Sequence, residues 1–105
     1  MAQTFTNAVA ASVTSVTTVY TAPASTTGIV IGIVIANTSG VDTTVSVTSV
    51  VGATTVYLAQ SLPLPANSNI TVLSNNNRVV LTTGNTIRVT AANTVDAFVS
   101  VLQIT

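Results

Sequence analysis

At 105 residues and 10.6 kDa the chain has the length of one domain, and its only charged side chains, Arg78, Arg88, Asp42 and Asp96, sum to a formal net charge of zero. An ordinary globular domain carries charge on about a quarter of its residues, so this one has no basic footprint for nucleic acid and no acidic tail for a basic partner. It also has no Cys and no His, which removes disulfides, thiolate nucleophiles, and the commonest proton shuttle and transition-metal ligand.

Residues 13–20 (VTSVTTVY) are rich in β-branched side chains that favour extended backbone. Val13, Val16 and Val19 lie three apart, a helical spacing, but the intervening Thr and Ser are poor helix formers, so the segment is read as a strand ending at Thr21-Ala22-Pro23. After the turn-prone Ser25-Thr26-Thr27-Gly28, a second strand covers Ile29 to Asn37, closed by a loop at Asn37-Thr38-Ser39-Gly40. The next segment alternates: Val41, Thr43, Val45 and Val47 on one face, and Asp42, Thr44, Ser46 and Thr48 on the other, as in a half-buried antiparallel strand. Gly52 interrupts it, and residues 54–59 (TTVYLA) begin another strand. Pro63 and Pro65 donate no backbone hydrogen bond, so Leu62 to Pro65 belongs at a sheet edge or crossover. Short strands follow at Ile70 to Leu73 and Arg78 to Leu81, joined by an Asn-rich turn at Ser74 to Asn77. A tight turn at Thr83-Gly84-Asn85 needs glycine's permissive backbone. Thr86 to Ala91 resumes with Ile87 and Val89 facing in, and Val95 to Ile104 is the last strand.

Seven or eight short strands with frequent turn signals predict an all-β fold, a two-layer antiparallel sandwich of immunoglobulin-like or jelly-roll topology. No segment has an amphipathic helical period, and no internal repeat argues for a solenoid. Residues 1–12 read as an N-terminal arm and 13–105 as the sandwich domain. The arm has too little to bury to order alone, and Phe5 is expected to dock on a neighbour, so removing residues 1–12 is expected to weaken association and leave folding intact. The opening residues lack a basic segment before an apolar run, so no secretory leader is expected. The longest apolar stretch, Ile29 to Ala36, is far short of a membrane-spanning helix, and no membrane partner is expected. The sequons at Asn37 and Asn69 are read as chance in a chain rich in Asn and Thr.

Asp42 and Asp96 are the only carboxylates from which an acid/base pair could be built. The simpler reading puts Asp42 in the turn after Gly40 and Asp96 on the wet side or at the start of a strand, both solvated. Arg78 and Arg88 read as strand-flanking or interface side chains, with a salt bridge to one aspartate as an option. No catalytic, cofactor-binding or metal-binding residue is therefore expected, and no cofactor.

Two strands break the alternation that a sandwich requires. In one, Ile29, Ile31, Ile33 and Ile35 lie opposite Val30, Val34 and Ala36. In the other, Val95, Ala97, Val99 and Val101 lie opposite Phe98, Leu102 and Ile104. One side of each must be covered by the arm, by local loops or by another copy of the chain; another copy is favoured, because interface cores are likewise depleted in Lys, Glu and Asp.

The succession Tyr20-Thr21-Ala22-Pro23, Ile35-Ala36-Asn37-Thr38, Leu62-Pro63-Leu64-Pro65-Ala66-Asn67-Ser68, Leu81-Thr82-Thr83-Gly84-Asn85-Thr86-Ile87-Arg88-Val89 and Phe98-Val99-Ser100-Val101-Leu102 resembles small all-β virion structural proteins of tailed bacteriophages. The resemblance covers roughly residues 18–104. Many such sequences have Gly-Asp where this chain has Gly84-Asn85; the change keeps the turn and removes a carboxylate. It implies a location in the virion and a non-enzymatic role as a self-associating subunit, a trimer or other ring. Such a subunit decorates or cements a capsid by contact with the major capsid protein. The alternatives are a neck, tail or fibre-attachment component, or a host- or glycan-binding tip built on Tyr20 or Tyr57. An ice-binding or surface-coating role, suggested by the abundance of Thr, is disfavoured, because Thr43-Thr44, Thr54-Thr55 and Thr82-Thr83 do not recur at a constant short spacing.

Overall fold

A computed structural model describes residues 3–73 and 79–105. Among them nine strands form two antiparallel sheets that face each other as a sandwich. In the first sheet β1 (Gln3–Val13) pairs with β9 (Val95–Ile104), β9 with β3 (Thr27–Asn37), and β3 with both β6 (Asn69–Leu73) and β7 (Val79–Leu81). The second sheet runs β2 (Thr17–Thr21), β8 (Thr86–Ala91), β4 (Thr43–Val51) and β5 (Thr54–Leu64). The expected turn at Ser74 to Asn77, and Arg78, lie outside the described residues.

The stretch 13–20 is not one strand. Val13 ends β1 in the first sheet, Val16 is exposed in the connection, and Val19 lies on β2 in the second sheet. The helical spacing of the three valines thus marks a crossover between layers. Residues 3–12, read as an arm, lie along β9 from Gln3 opposite Ile104 to Ala10 opposite Ala97. At the other end the reading of the prolines holds: Pro63 is in β5, which is the edge of the second sheet. The turn at Gly84 has φ +87, and Ile87 and Val89 are fully buried.

The doubly apolar β3 is resolved by a bulge. Its register against β9 shifts between Val30 and Gly32, so the inward parity changes along the strand. Val30, Ile33 and Ile35 are buried, whereas Ile29 and Ala36 are half-buried and Val34 is exposed. An extra residue in one strand reverses which side chains face the core. β9 has no such shift opposite β1 over residues 97–104, and its Val95, Ala97, Val99 and Val101 all point inward. These side chains meet Val45, Val47, Leu64, Ile87 and Val89 from the second sheet in one core. Each fully buried Val, Ile or Leu contributes about 1.5–3 kcal/mol relative to exposure.

Polar side chains close the ends of this core. Asn37, at the end of β3, is 3 % exposed; its Nδ2 donates to the carbonyls of Val41, Leu64 and Pro65 at 2.8, 3.1 and 3.1 Å. Its Oδ1 accepts from the amide and hydroxyl of Ser39. At the other end the buried Tyr20 of β2 accepts a hydrogen bond from Gln103 Nε2 of β9 at 2.9 Å, tying one sheet to the other. Gly28 makes room for that ring: a Cβ there would stand 2.8 Å from the Tyr20 hydroxyl.

Candidate functional site

Each of the two carboxylates accepts a backbone amide. Asp42 Oδ1 accepts the Ala66 amide at 2.9 Å, bracing the loop before β4 against the residues after β5. Asp96 Oδ1 accepts the Ser12 amide at 2.9 Å. Ser12 has φ 56, a left-handed conformation at the irregularity between Ala10 and Val13. Such a conformation is uncommon for a non-glycine residue, and its turned-out amide needs an acceptor. A matching device sits on the second sheet, where Ser61 of β5 has φ 52 and donates its amide to Ser46 Oγ at 3.0 Å. These two edge strands, β1 and β5, are thus bulged, and each bulge is held by a side chain of the next strand. Bulged edges resist pairing with another chain.

Among the described residues nothing covers the outer face of the first sheet. Cross-strand register gives it two apolar rows, Val9, Phe98 and Val34 in one, and Phe5, Leu102, Ile29 and Val80 in the other. Between them lies a shallow groove of about 300 Å³ lined by Phe5, Asn7, Ile31, Phe98 and Ser100. Phe5 is 75 % exposed, Val9 63 % and Phe98 45 %. β1 is the informative strand: up to Ala10 its inward residues Thr6, Ala8 and Ala10 are small and the larger Phe5 and Val9 point away from the core, and past the bulge its last residue, Val13, is buried. A strand folded only for its own sandwich would reverse that pattern. Among the described residues Asp96 is the sole charge on this face, and it is engaged by Ser12. β1 extends the sheet sideways and does not roof it, so the arm does not cover the surplus apolar surface of β3 and β9.

The outer face of the second sheet is different. Arg88 sits in the middle of β8, not at a strand flank, opposite Thr48 of β4 and Thr18 of β2. It has no ion pair among the described residues. Its Nε is shielded from solvent without a hydrogen-bond partner, an arrangement that costs about 1–3 kcal/mol, more for a charged group. Around it Ser46, Thr48, Thr55, Tyr57 and Thr90 line a cleft of about 290 Å³, with Val16 at one margin. Tyr57 is 56 % exposed, whereas Tyr20 is tucked into the core. Alternation through Ile87, Arg88 and Val89 already puts the arginine on the wet face. The hydroxyls gathered around it come from β4, β5 and β8, and only the pairing of those strands shows that they meet. No family model, no curated protein and no solved structure matches the chain.

Proposed function

We propose that the domain is a jelly roll serving as a non-enzymatic structural subunit of a phage virion. In this reading it associates with copies of itself, as a trimer or other ring, and attaches to the capsid through the apolar outer face of the first sheet. The observation that carries the reading is β1, which directs Phe5 and Val9 outward beside Phe98 and Val34. Exposed contiguous apolar surface with almost no charge is what a subunit shows when its partner is removed. The strand orders β1-β9-β3-β6 and β2-β8-β4-β5 favour a jelly roll over an immunoglobulin-like sandwich. Successive strands alternate between layers except at the β4–β5 hairpin and at β6 and β7, which share one side of β3. Double Greek-key winding produces such an order, and it is common in capsid domains. The virion location rests on the resemblance of residues 18–104, and attachment at a neck or tail would use the same face.

Sedimentation of the purified chain over a range of concentrations tests the reading. A closed oligomer is expected, and Phe98→Lys, which places a charge at the centre of the face without touching the core, is expected to give a folded monomer. A wild-type chain that stays monomeric at every concentration and does not bind saturably to particles lacking it would sink the proposal.

A further inference from the structure

We propose that the cleft on the outer face of the second sheet binds an acidic monosaccharide, with Arg88 holding its carboxylate. The site lies on the layer opposite the apolar face and does not depend on self-association.

The first argument is charge. The chain has two side-chain carboxylates, and both are committed to backbone amides elsewhere, Asp42 to Ala66 and Asp96 to Ser12. Arg88 therefore stands half-buried in mid-strand with no ion pair among the described residues; its Nε is shielded from solvent without a partner there, which leaves the terminal Nη groups to serve a ligand. A guanidinium in partly desolvated surroundings attracts a carboxylate strongly, and its planar fork matches two carboxylate oxygens at once. The second argument is composition. Ser46, Thr48, Thr55, Thr90 and Tyr57 bring five hydroxyl-bearing side chains around that one cation. Hydroxyls both donate and accept, as the hydroxyls of a sugar ring require. With one guanidinium and no second cation among the residues lining it, the cleft suits a single negative charge and not a polyphosphate or nucleic acid. The third argument is size and shape. About 290 Å³ is at the small end of ligand sites and matches one ring. Exposed Tyr57 offers an aromatic body with a polar tip to the C–H face of such a ring.

The test is a titration of the isotopically labelled intact chain with glucuronate and with N-acetylneuraminate, followed by amide chemical shifts. Saturable shifts confined to residues around Ser46, Thr48, Tyr57, Arg88 and Thr90 are expected with at least one of the two. Glucose and the methyl ester of glucuronate, which lack the charge, should give none. Arg88→Gln should weaken binding about tenfold or more, and Tyr57→Ala should weaken it while leaving the spectrum dispersed. Should Arg88→Gln fail to fold, Tyr57→Ala and the neutral sugars still decide the matter on folded protein. The assignment is overturned by absence of saturable shifts with both acids, by equal binding of glucose, or by undiminished binding in folded Arg88→Gln. Equal binding of inorganic phosphate or of a glutamate-containing dipeptide would likewise overturn it, because either would show an unselective anion site.

Discussion

Single residues decide how closely the two layers approach. Tyr20 reaches from β2 to Gln103 on β9, and its ring occupies the space that a side chain at position 28 would take. Gly28→Ala is therefore expected to destabilise the fold by about 1–3 kcal/mol, the usual cost of overpacking. Adding Tyr20→Phe should recover part of that loss, since the hydroxyl is the nearest atom to the new methyl group. Urea denaturation of the two variants checks this, and a Gly28→Ala midpoint equal to the wild type would show that the ring moves aside freely. Residue-level reading of the sequence is good where chemistry is local. Gly84 in a turn, Asp42 after Gly40 and Asp96 at a strand start all follow from what each side chain needs nearby. It misses Asn37, read as part of a loop and a chance sequon, because the carbonyls that its amide serves include those of Leu64 and Pro65, far along the chain. Arg88 is missed in the same way: its neighbours Thr48 and Tyr57 arrive from other strands.

At the scale of elements, alternation reads correctly wherever a strand is regular and fails at bulges. The inward sets of β8 and β9 match a simple period of two, as does β4 from Thr43 to Val47. In β3 the period slips at Ile31, and the slip creates the doubly apolar pattern seen in the sequence. No single-residue preference announces such an insertion, because it is set by the fit of β3 against β9. β1 is the hardest element to foresee, since before its terminal Val13 the inward side is only Thr6, Ala8 and Ala10, and its partner strand lies some ninety residues away. That pairing changes what truncation does. Removing residues 1–12 strips β9 of its neighbour from Ala97 to Ile104 and leaves an unbulged edge. The shortened chain is expected to have a lower denaturation midpoint and to self-associate unspecifically through the open edge. Equilibrium denaturation together with light scattering checks this, and an unchanged midpoint would mean that β1 adds nothing to the fold.

For the whole molecule, the sandwich separates two kinds of surface that the linear sequence interleaves. Phe98 and Ser100 on one strand, and Arg88 and Thr90 on another, alternate with core residues, yet the first pair lies on one outer face and the second on the opposite one. A subunit resting on its apolar face would hold the polar cleft away from whatever it rests on, so the two proposed contacts do not compete. The position of β9 has a further consequence, for the order of assembly in time. It lies between β1 and β3, so the first sheet has no continuous hydrogen-bonded path until residues 95–104 have been made. Until then β3, the most apolar segment of the chain, has one open side. Apart from the β4–β5 hairpin, the described strands pair with partners distant in sequence, and folding rates fall as such separations grow. Refolding on the order of milliseconds to seconds is therefore expected in stopped-flow experiments, slow for so short a chain, and a microsecond phase accounting for the whole amplitude would contradict it. Whatever the order in which the other strands pair, the first sheet becomes continuous only in the step that seats β9 between β1 and β3.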